Sequence, residues 1–197
     1  MVAVAVFHSS LAAGVYTAVV LVWFVSLLVE VLIIRRSGTR SAEVRADRGS
    51  GPLILLSVFV AIAIANAFAA SGVGLLPKPF FFAGLALILT GAAFRLWAVS
   101  TLRSFFSYTV QIKEEHHVVE SGPYRFVRHP AYAGSLLTIL GVGFALQSWA
   151  AVLVIGGIFV AAFGYRIRVE ERALIGALGE EYARYSKRVK RLIPCVF

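Results

Sequence analysis

Five long apolar runs limit what this chain can fold into. Each contains 16 to 24 residues, close to the ~20 residues that an α-helix needs to cross a hydrocarbon core of ~30 Å. Hydrophobic residues make up 59% of the chain and charged residues 15%, whereas about 25% charged residues is typical of a soluble domain. We therefore predict an all-α integral membrane protein with about five transmembrane helices, forming one domain over residues 1–197. The runs cover residues 11–34, 53–70, 80–100, 131–146 and 149–165.

The last two runs are separated only by Gln147 and Ser148, which predicts a tight helical hairpin. Each arm has about 17 residues, near the lower limit for crossing a bilayer, so a hairpin that only dips into the membrane stays open. The domain then consists of three spans over residues 1–100, followed over residues 101–197 by a polar loop, the hairpin and a C-terminal helical segment.

Lys and Arg residues are unevenly distributed among the connecting segments. Cytoplasmic loops collect Lys and Arg, so an alternation of rich and poor segments predicts an outside N-terminus and a cytoplasmic C-terminus. The net charge of +9 then faces anionic lipid headgroups, and we expect no nucleic-acid partner. The Arg- and Ala-rich composition is typical of bacteria, which predicts a multi-pass protein of a bacterial cytoplasmic membrane. Residues 35–52 contain five Lys and Arg, 71–79 one, 101–130 four, 147–148 none and 166–197 eight.

Small residues predict where the spans pack, because small side chains let helix backbones approach closely in a membrane. Ala61, Ala65 and Ala69 recur every fourth residue in the second span, and a Gly157 and Ala161 pair does so in the fifth. We expect the charged residues near the cytoplasmic ends of the first and third spans to snorkel to the membrane surface. These are Glu30 and Arg95. No strand pattern is visible.

A first polar cluster precedes the hairpin and contains three His, two Tyr and two Arg within 17 residues, 116–132. The residue before a proline is held away from the α conformation, so His129-Pro130 predicts a shaped loop and a helix beginning at Pro130. A helix N-terminus at that point would suit an anionic group. The alternative is a solvated loop with interfacial Tyr and Arg anchors.

A second polar cluster follows the fifth run. If the helix continues past Tyr165, Arg166 and Glu170 are neighbours on one helix face. They form either an ordinary surface ion pair, or a site in which Arg166 binds a substrate anion and Glu170 a cationic cofactor group. The histidines lack regular ligand spacing, so we predict no metal site. The absence of strands excludes a Rossmann domain.

Together the two clusters resemble the isoprenylcysteine carboxyl methyltransferase family, and related phospholipid N-methyltransferases share part of the pattern. The resemblance covers about residues 105–197. It is carried by His116-x-Val118-Val119-x-x-Gly122-x-Tyr124-x-x-x-Arg128-His129-Pro130-x-Tyr132 and by Arg166-x-x-x-Glu170-Glu171-x-x-Leu174-x-x-x-x-Gly179-x-x-Tyr182.

The resemblance implies a membrane enzyme that uses S-adenosyl-L-methionine, held by a cytoplasmic cofactor-binding loop and the C-terminal segment. It implies catalytic roles for Arg166 and Glu170 and places Arg166 toward the substrate, with Arg128 as a second substrate-binding candidate. The implied cofactor-binding residues are Gln111, His116, His117, Val118, Val119, Tyr124, His129, Pro130, Ala131, Tyr132, Glu170 and Glu171.

The function that the resemblance implies is methyl transfer to the carboxylate of a lipophilic acceptor, either isoprenoid or prenylcysteine-like, and the chemistry of these residues fits it. A carboxylate is ionised at neutral pH and needs no strong base, and Arg166 can bind it with two parallel hydrogen bonds. An amine acceptor would instead need His129 or Glu170 as a base.

The short N-terminal region and a bacterial setting favour a small lipophilic molecule or lipid as the partner, beside the bilayer itself. The alternatives are a lipid N- or small-thiol S-methyltransferase, a sterol-reductase-like enzyme that uses NADPH, and a non-enzymatic lipid carrier. The oligomeric state stays open.

Overall fold

The structure, a computed structural model, describes residues 10–36, 44–45, 50–102, 111–112 and 118–193. Within these residues the chain is almost entirely helical. The helices are α1 (Ser10–Arg36), α2 (Ser50–Ser71), α3 (Pro79–Leu102), α4 (Pro130–Ala145), α5 (Trp149–Leu178) and α6 (Glu180–Arg188), with a 3₁₀ helix at Gly122–Arg125.

Among the described helices, three are long and apolar enough to cross a bilayer. They are α1 over Ser10–Ile33, α3 and α5. Two shorter apolar helices, Leu56–Ser71 and Pro130–Ala145, accompany them. The 16 residues of α4 give it a length of about 24 Å at 1.5 Å per residue. An all-helical membrane fold agrees with the sequence, and the predicted hairpin is present as α4 and α5. The number of spans stays a prediction.

The closest helix packing joins α3 to α4. Gly84 and Gly91 of α3 face Gly141 and Gly134 of the antiparallel α4. A Cβ atom added to Gly91 would lie 2.6 Å from the Gly134 carbonyl oxygen, and one added to Gly134 would lie 2.7 Å from the Gly91 oxygen. Such backbone contact is typical of membrane helices, where small residues replace the hydrophobic driving force.

The predicted alanine stripe of α2 is buried in the core, where α2 packs against α5. Ala61 and Ala65 are fully buried, and Ala69 is nearly so. The prediction for Gly157 and Ala161 is wrong, because both are exposed. The core face of α5 is formed instead by larger side chains such as Ile155 and Phe159, which lie on the other side of the helix.

The connecting segments gather at two ends of the bundle. Strands β1 (Val44–Arg45) and β2 (Gln111–Ile112) pair antiparallel and join the segment after α1 to the segment after α3. At the other end, the Trp149 amide donates to the Gly74 oxygen over 2.8 Å, next to a bridge between Leu75 and Ser148. The ladder corrects the expectation of no strands, since two-residue strands are too short to leave a pattern.

The snorkelling prediction for Glu30 and Arg95 is also wrong. The two side chains meet as an ion pair, with Arg95 Nη2 3.0 Å from Glu30 Oε2. Glu30 is fully buried, and Arg95 is 9% exposed. Both charges point into the bundle because each is the other's partner.

Candidate active site

The site is built around the first turn of α4. Pro130 occupies its first position, and His129 is the preceding cap residue. The His129 amide donates to the Arg191 carbonyl over 2.9 Å, so the segment after α6 fixes the entry to α4. The His129 and Tyr132 rings stack with their centroids 5.6 Å apart and their planes inclined by 13°.

Helix α5 carries the second polar cluster because it continues to Leu178, 13 residues beyond Tyr165. Arg166 and Glu170 therefore lie one turn apart, as the sequence predicts. The Tyr132 hydroxyl lies between them: it donates to Glu170 Oε2 over 2.7 Å and accepts from Arg166 Nε over 3.2 Å. Arg166 is 2% exposed. The arrangement is therefore a buried cation and a carboxylate linked through a phenol, rather than a simple surface pair.

The next residue, Glu171, has different surroundings. Its side chain is 9% exposed, whereas that of Glu170 is 30% exposed. Arg128 donates to Glu171 Oε1 from Nε and Nη2 over 3.0 and 2.8 Å, and Arg191 Nε lies 3.0 Å from Oε2. His129 Nε2 is 3.3 Å from Oε1. Three side chains thus converge on the buried Glu171 carboxylate.

Arg128 is held within the protein by further contacts. Its Nη1 atom donates to the carbonyl oxygens of Ser186 and Val189. Because Glu171 and these two carbonyls surround the guanidinium, Arg128 fastens α5 to the end of α6. Arg191 completes this arrangement and was missed at the sequence level, since it lies 20 residues after Glu171 without any periodic relation to it.

The loop before α4 is attached to α6. The Val118 amide donates to Glu181 Oε1 over 3.0 Å, and the Tyr185 hydroxyl donates to the Tyr124 oxygen over 2.6 Å. Burial raises the pKa of the Tyr185 phenol well above its ordinary value, and the Glu120 carboxylate adds to this effect. The hydroxyl therefore keeps its proton and remains a donor. Helix α6 positions the loop that carries Val118, Val119 and Tyr124.

Tyr182, also on α6, differs from Tyr185 in its hydrogen bonding. The residue is 4% exposed, and its ring packs in a small core with Tyr185 and Val189. Its hydroxyl oxygen is buried without a hydrogen-bond partner in the described part of the chain. Burial, then the carboxylates of Glu171 and Glu170, raise the pKa of the Tyr182 phenol well above its ordinary value.

The structure therefore brings together the predicted residues of both clusters, with two gaps. His116 and His117 lie outside the described residues. Gln111 is placed in β2, and the prediction for its side chain stays a prediction. Among the described residues, no group of three or more His, Cys, Asp or Glu is arranged to hold a metal ion. The predicted site residues that lie in the described part of the chain are Val118, Val119, Tyr124, Arg128, His129, Pro130, Ala131, Tyr132, Arg166, Glu170 and Glu171.

The chain is similar to known proteins of one kind. A protein-S-isoprenylcysteine O-methyltransferase B from Arabidopsis thaliana is 32% identical over 115 residues, covering 57% of this chain and 58% of that protein. The enzyme of the same name from Rattus norvegicus is 34% identical over 116 residues, covering 58% and 41%. A solved structure of a eukaryotic intramembrane Ras methyltransferase ICMT superposes with a TM-score of 0.58 at 25% identity, covering 72% of this chain and 50% of that chain.

The fold and site thus define a helical protein with candidate membrane spans and a cluster of polar side chains at the start of α4. The profile of the isoprenylcysteine carboxyl methyltransferase (ICMT) family matches residues 84–176, from α3 to the last turn of α5. This segment is similar to the ICMT family, and the resemblance read from the motifs is confirmed there. The chain spans about half of the length of the curated relatives that it matches.

Proposed function

We propose that this protein is a membrane methyltransferase that transfers a methyl group from S-adenosyl-L-methionine to the carboxylate of a lipophilic acceptor. The relatives are named as protein-S-isoprenylcysteine O-methyltransferases, which favours a prenylcysteine-like carboxylate. The same names favour a methyltransferase over the reductase and carrier alternatives.

The observation that carries the proposal is the link from Arg166 through Tyr132 to Glu170. It places a permanent cation and a carboxylate on one helix, separated by a single hydroxyl group. The cation suits an acceptor carboxylate, and the half-exposed carboxylate suits a cationic cofactor. Both ligands would then meet at the start of α4.

The donor set fits S-adenosyl-L-methionine. Glu170 offers a carboxylate to its ammonium group, which S-adenosylhomocysteine shares. The stacked His129 and Tyr132 rings offer an aromatic surface, and the Tyr182 hydroxyl is a buried polar group without a partner in the described chain. We infer that Glu170 and the residues from His129 to Tyr132 hold this cofactor, together with Val118, Val119 and Tyr124. When bound, it supplies a methyl group on a positively charged sulfur.

The residues of the chain then act mainly by binding and orientation. Arg166 is charged at all relevant pH values and neutralises the acceptor carboxylate, which is already ionised and needs no base. Tyr132 orients Arg166 and Glu170 at once. Burial of Arg166 keeps water from competing for the guanidinium. Holding two reactants in line can supply about 7–11 kcal/mol of the barrier reduction.

We infer that Arg128 and Glu171 stabilise this site without contacting the ligands. Their mutual ion pair and the carbonyl contacts of Arg128 hold the end of α6 against α5, next to the turn of α5 that carries Glu170. We further propose that the five helices α1 to α5 all span the membrane, with the site on the cytoplasmic side. The basic segments support this orientation, because β2 pairs with β1 and contacts α5, and α6 holds the loop before α4.

The test is a transfer assay with S-adenosyl-L-methionine labelled in its methyl group. Purified protein in lipid vesicles is given an N-acylated S-prenylcysteine, its carboxamide and a prenylated peptide. We expect label in the free acid but not in the carboxamide, and we expect alkali to release it as methanol. Alkali-stable label would show N- or S-methylation and contradict a carboxylate acceptor. Labelling of the peptide alone would show that a protein-like acceptor is needed.

A further inference from the structure

The ion pair between Glu30 and Arg95 is a buried charged contact between two helices, and the proposed chemistry does not use it. The residues are 65 positions apart in the chain, on α1 and α3. Arg95 Nε lies 3.0 Å from Glu30 Oε1, and Arg95 Nη2 lies 3.0 Å from Glu30 Oε2. Two parallel hydrogen bonds of this kind are the strongest geometry for an Arg and a carboxylate.

Stability alone is a weak reason for such a pair. Removing two charges from water is expensive, and well-packed apolar residues of similar volume are often as stable or more stable. Both residues lie in helices that are candidate membrane spans, where ionisable residues are rare and mark functional positions. The pair therefore requires an explanation in terms of what else it contacts.

Arg95 also reaches α4. Its Nη1 atom donates to Ser135 Oγ over 2.8 Å and to the Ala131 carbonyl oxygen over 3.3 Å, and Ser135 Oγ itself donates to Ala131 over 3.0 Å. These contacts hold the first turn of α4, one residue from Tyr132. A cation at a helix N-terminus is unfavourable because the helix dipole is positive there. Glu30 offsets this charge.

We propose that Arg95, held in place by Glu30, is a positioning residue for the active site. By fixing the first turn of α4, it sets the Tyr132 hydroxyl between Arg166 and Glu170. Helix α1 carries none of the residues of the site, but through Glu30 it helps to set the geometry of the site. The inference depends on the proposed function only for the chemistry at Tyr132, not for the geometry.

The test is a double variant, Glu30→Leu with Arg95→Met, which removes both charges and leaves no buried ion alone. We expect it to fold, with a thermal unfolding temperature close to the wild type. Ser135→Ala removes one contact of Arg95 and keeps the ion pair. Thr138→Val is the matched control, because Thr138 lies buried one turn deeper in the α3–α4 interface and bonds to Gly134 and Ile88.

Three measurements follow in detergent: hydrogen exchange of the amides of residues 131–136, calorimetric affinity for S-adenosylhomocysteine, and methyl-transfer turnover. We expect faster exchange and weaker binding in the double variant, a smaller change for Ser135→Ala and none for Thr138→Val. Turnover of the double variant should fall about 100-fold, as expected when a remote change displaces reacting groups by 1 Å.

Unchanged exchange in both the double variant and Ser135→Ala would overturn the inference, whatever the ligand does. Faster exchange with wild-type affinity and turnover would also overturn it, because the pair would then be merely structural. If the wild type itself binds no S-adenosylhomocysteine, the proposed function fails instead, and the exchange data alone decide whether Arg95 fixes α4.

Discussion

Glu170 and Glu171 are adjacent in α5 yet have opposite surroundings. Glu171 is buried and is neutralised by Arg128 and Arg191, with His129 beside them. Glu170 is more exposed and receives a hydrogen bond from Tyr132, with His129 Nδ1 4.0 Å from the same Oε2 atom. Successive residues of a helix point about 100° apart, so one faces the α6 attachment and the other faces the start of α4.

The difference shows how a chain separates structure from function with the same residue type. A carboxylate that the chain satisfies by itself fastens the site together. One that keeps access to solvent is available to a ligand. The predictions below test this division between the Glu171 cluster (Arg128, His129, Glu171 and Arg191) and the Glu170 cluster (Tyr132, Arg166 and Glu170).

Glu171→Gln should have the largest effect on stability. It leaves the buried Arg128 without its counter-charge, and breaking a buried ion pair costs about 3–5 kcal/mol. The matched Glu170→Gln should change the free energy of unfolding by less than about 1 kcal/mol. Denaturant unfolding in detergent measures both. Equal losses in the two variants would remove the distinction between the clusters.

Arg166→Lys should lower turnover about 100-fold while the protein stays folded. Lysine keeps the charge but cannot present two parallel donors to a carboxylate, and loss of one well-placed donor costs on the order of 10²-fold or more. Steady-state methyl transfer with the acceptor varied checks this result, with Arg168→Lys, an exposed neighbour on α5, as the control. Wild-type kinetics for Arg166→Lys would refute the role of Arg166 in acceptor binding.

Glu170→Gln should weaken S-adenosylhomocysteine binding and spare acceptor binding. The amide keeps the shape and can still accept from Tyr132, but it lacks the negative charge. A lost charged hydrogen bond is worth about 1–3 kcal/mol. Titration calorimetry measures the affinity for S-adenosylhomocysteine, and the KM of the acceptor reports on acceptor binding. Parallel losses in both quantities would mean that Glu170 acts only through Arg166.

Tyr185→Phe and Tyr182→Phe should differ in stability, by less than the variants above. Tyr185→Phe removes the donor to the buried Tyr124 residue and should cost about 1 kcal/mol. Tyr182→Phe removes a buried hydroxyl that has no partner in the described residues and should leave stability unchanged or raise it. Thermal unfolding of both variants is measured without ligand. A larger loss of stability for Tyr182→Phe than for Tyr185→Phe would contradict the assignment of the hydrogen bond to Tyr185.

Most of the helices could be predicted from hydropathy, and the site residues from two local motifs. The continuation of α5 beyond Tyr165 entered the sequence reading only as a condition, under which Arg166 and Glu170 share one helix face. The contacts that join distant segments were not. Glu30 and Arg95 each look like a residue near a membrane surface when taken alone, since nothing in a sequence pairs positions 65 apart. Arg191 follows α6 in irregular structure, which carries no periodic signal.

The glycine and alanine patterns show the same limit. Ala61, Ala65 and Ala69 lie on the buried face of α2, while Gly157 and Ala161 have the same spacing on an exposed face of α5. Spacing identifies a face of small residues, but the partner helix decides whether that face is buried.

The central claim is that Glu170, with the residues from His129 to Tyr132, binds S-adenosyl-L-methionine, and ligand titration tests it most directly. Purified wild-type protein is titrated by calorimetry with S-adenosylhomocysteine and, separately, with NADPH. The account predicts saturable binding of S-adenosylhomocysteine that Glu170→Gln weakens about tenfold, equivalent to about 1.4 kcal/mol, and no binding of NADPH. Binding of NADPH in place of S-adenosylhomocysteine, or equal affinity of the wild type and Glu170→Gln for S-adenosylhomocysteine, would contradict it.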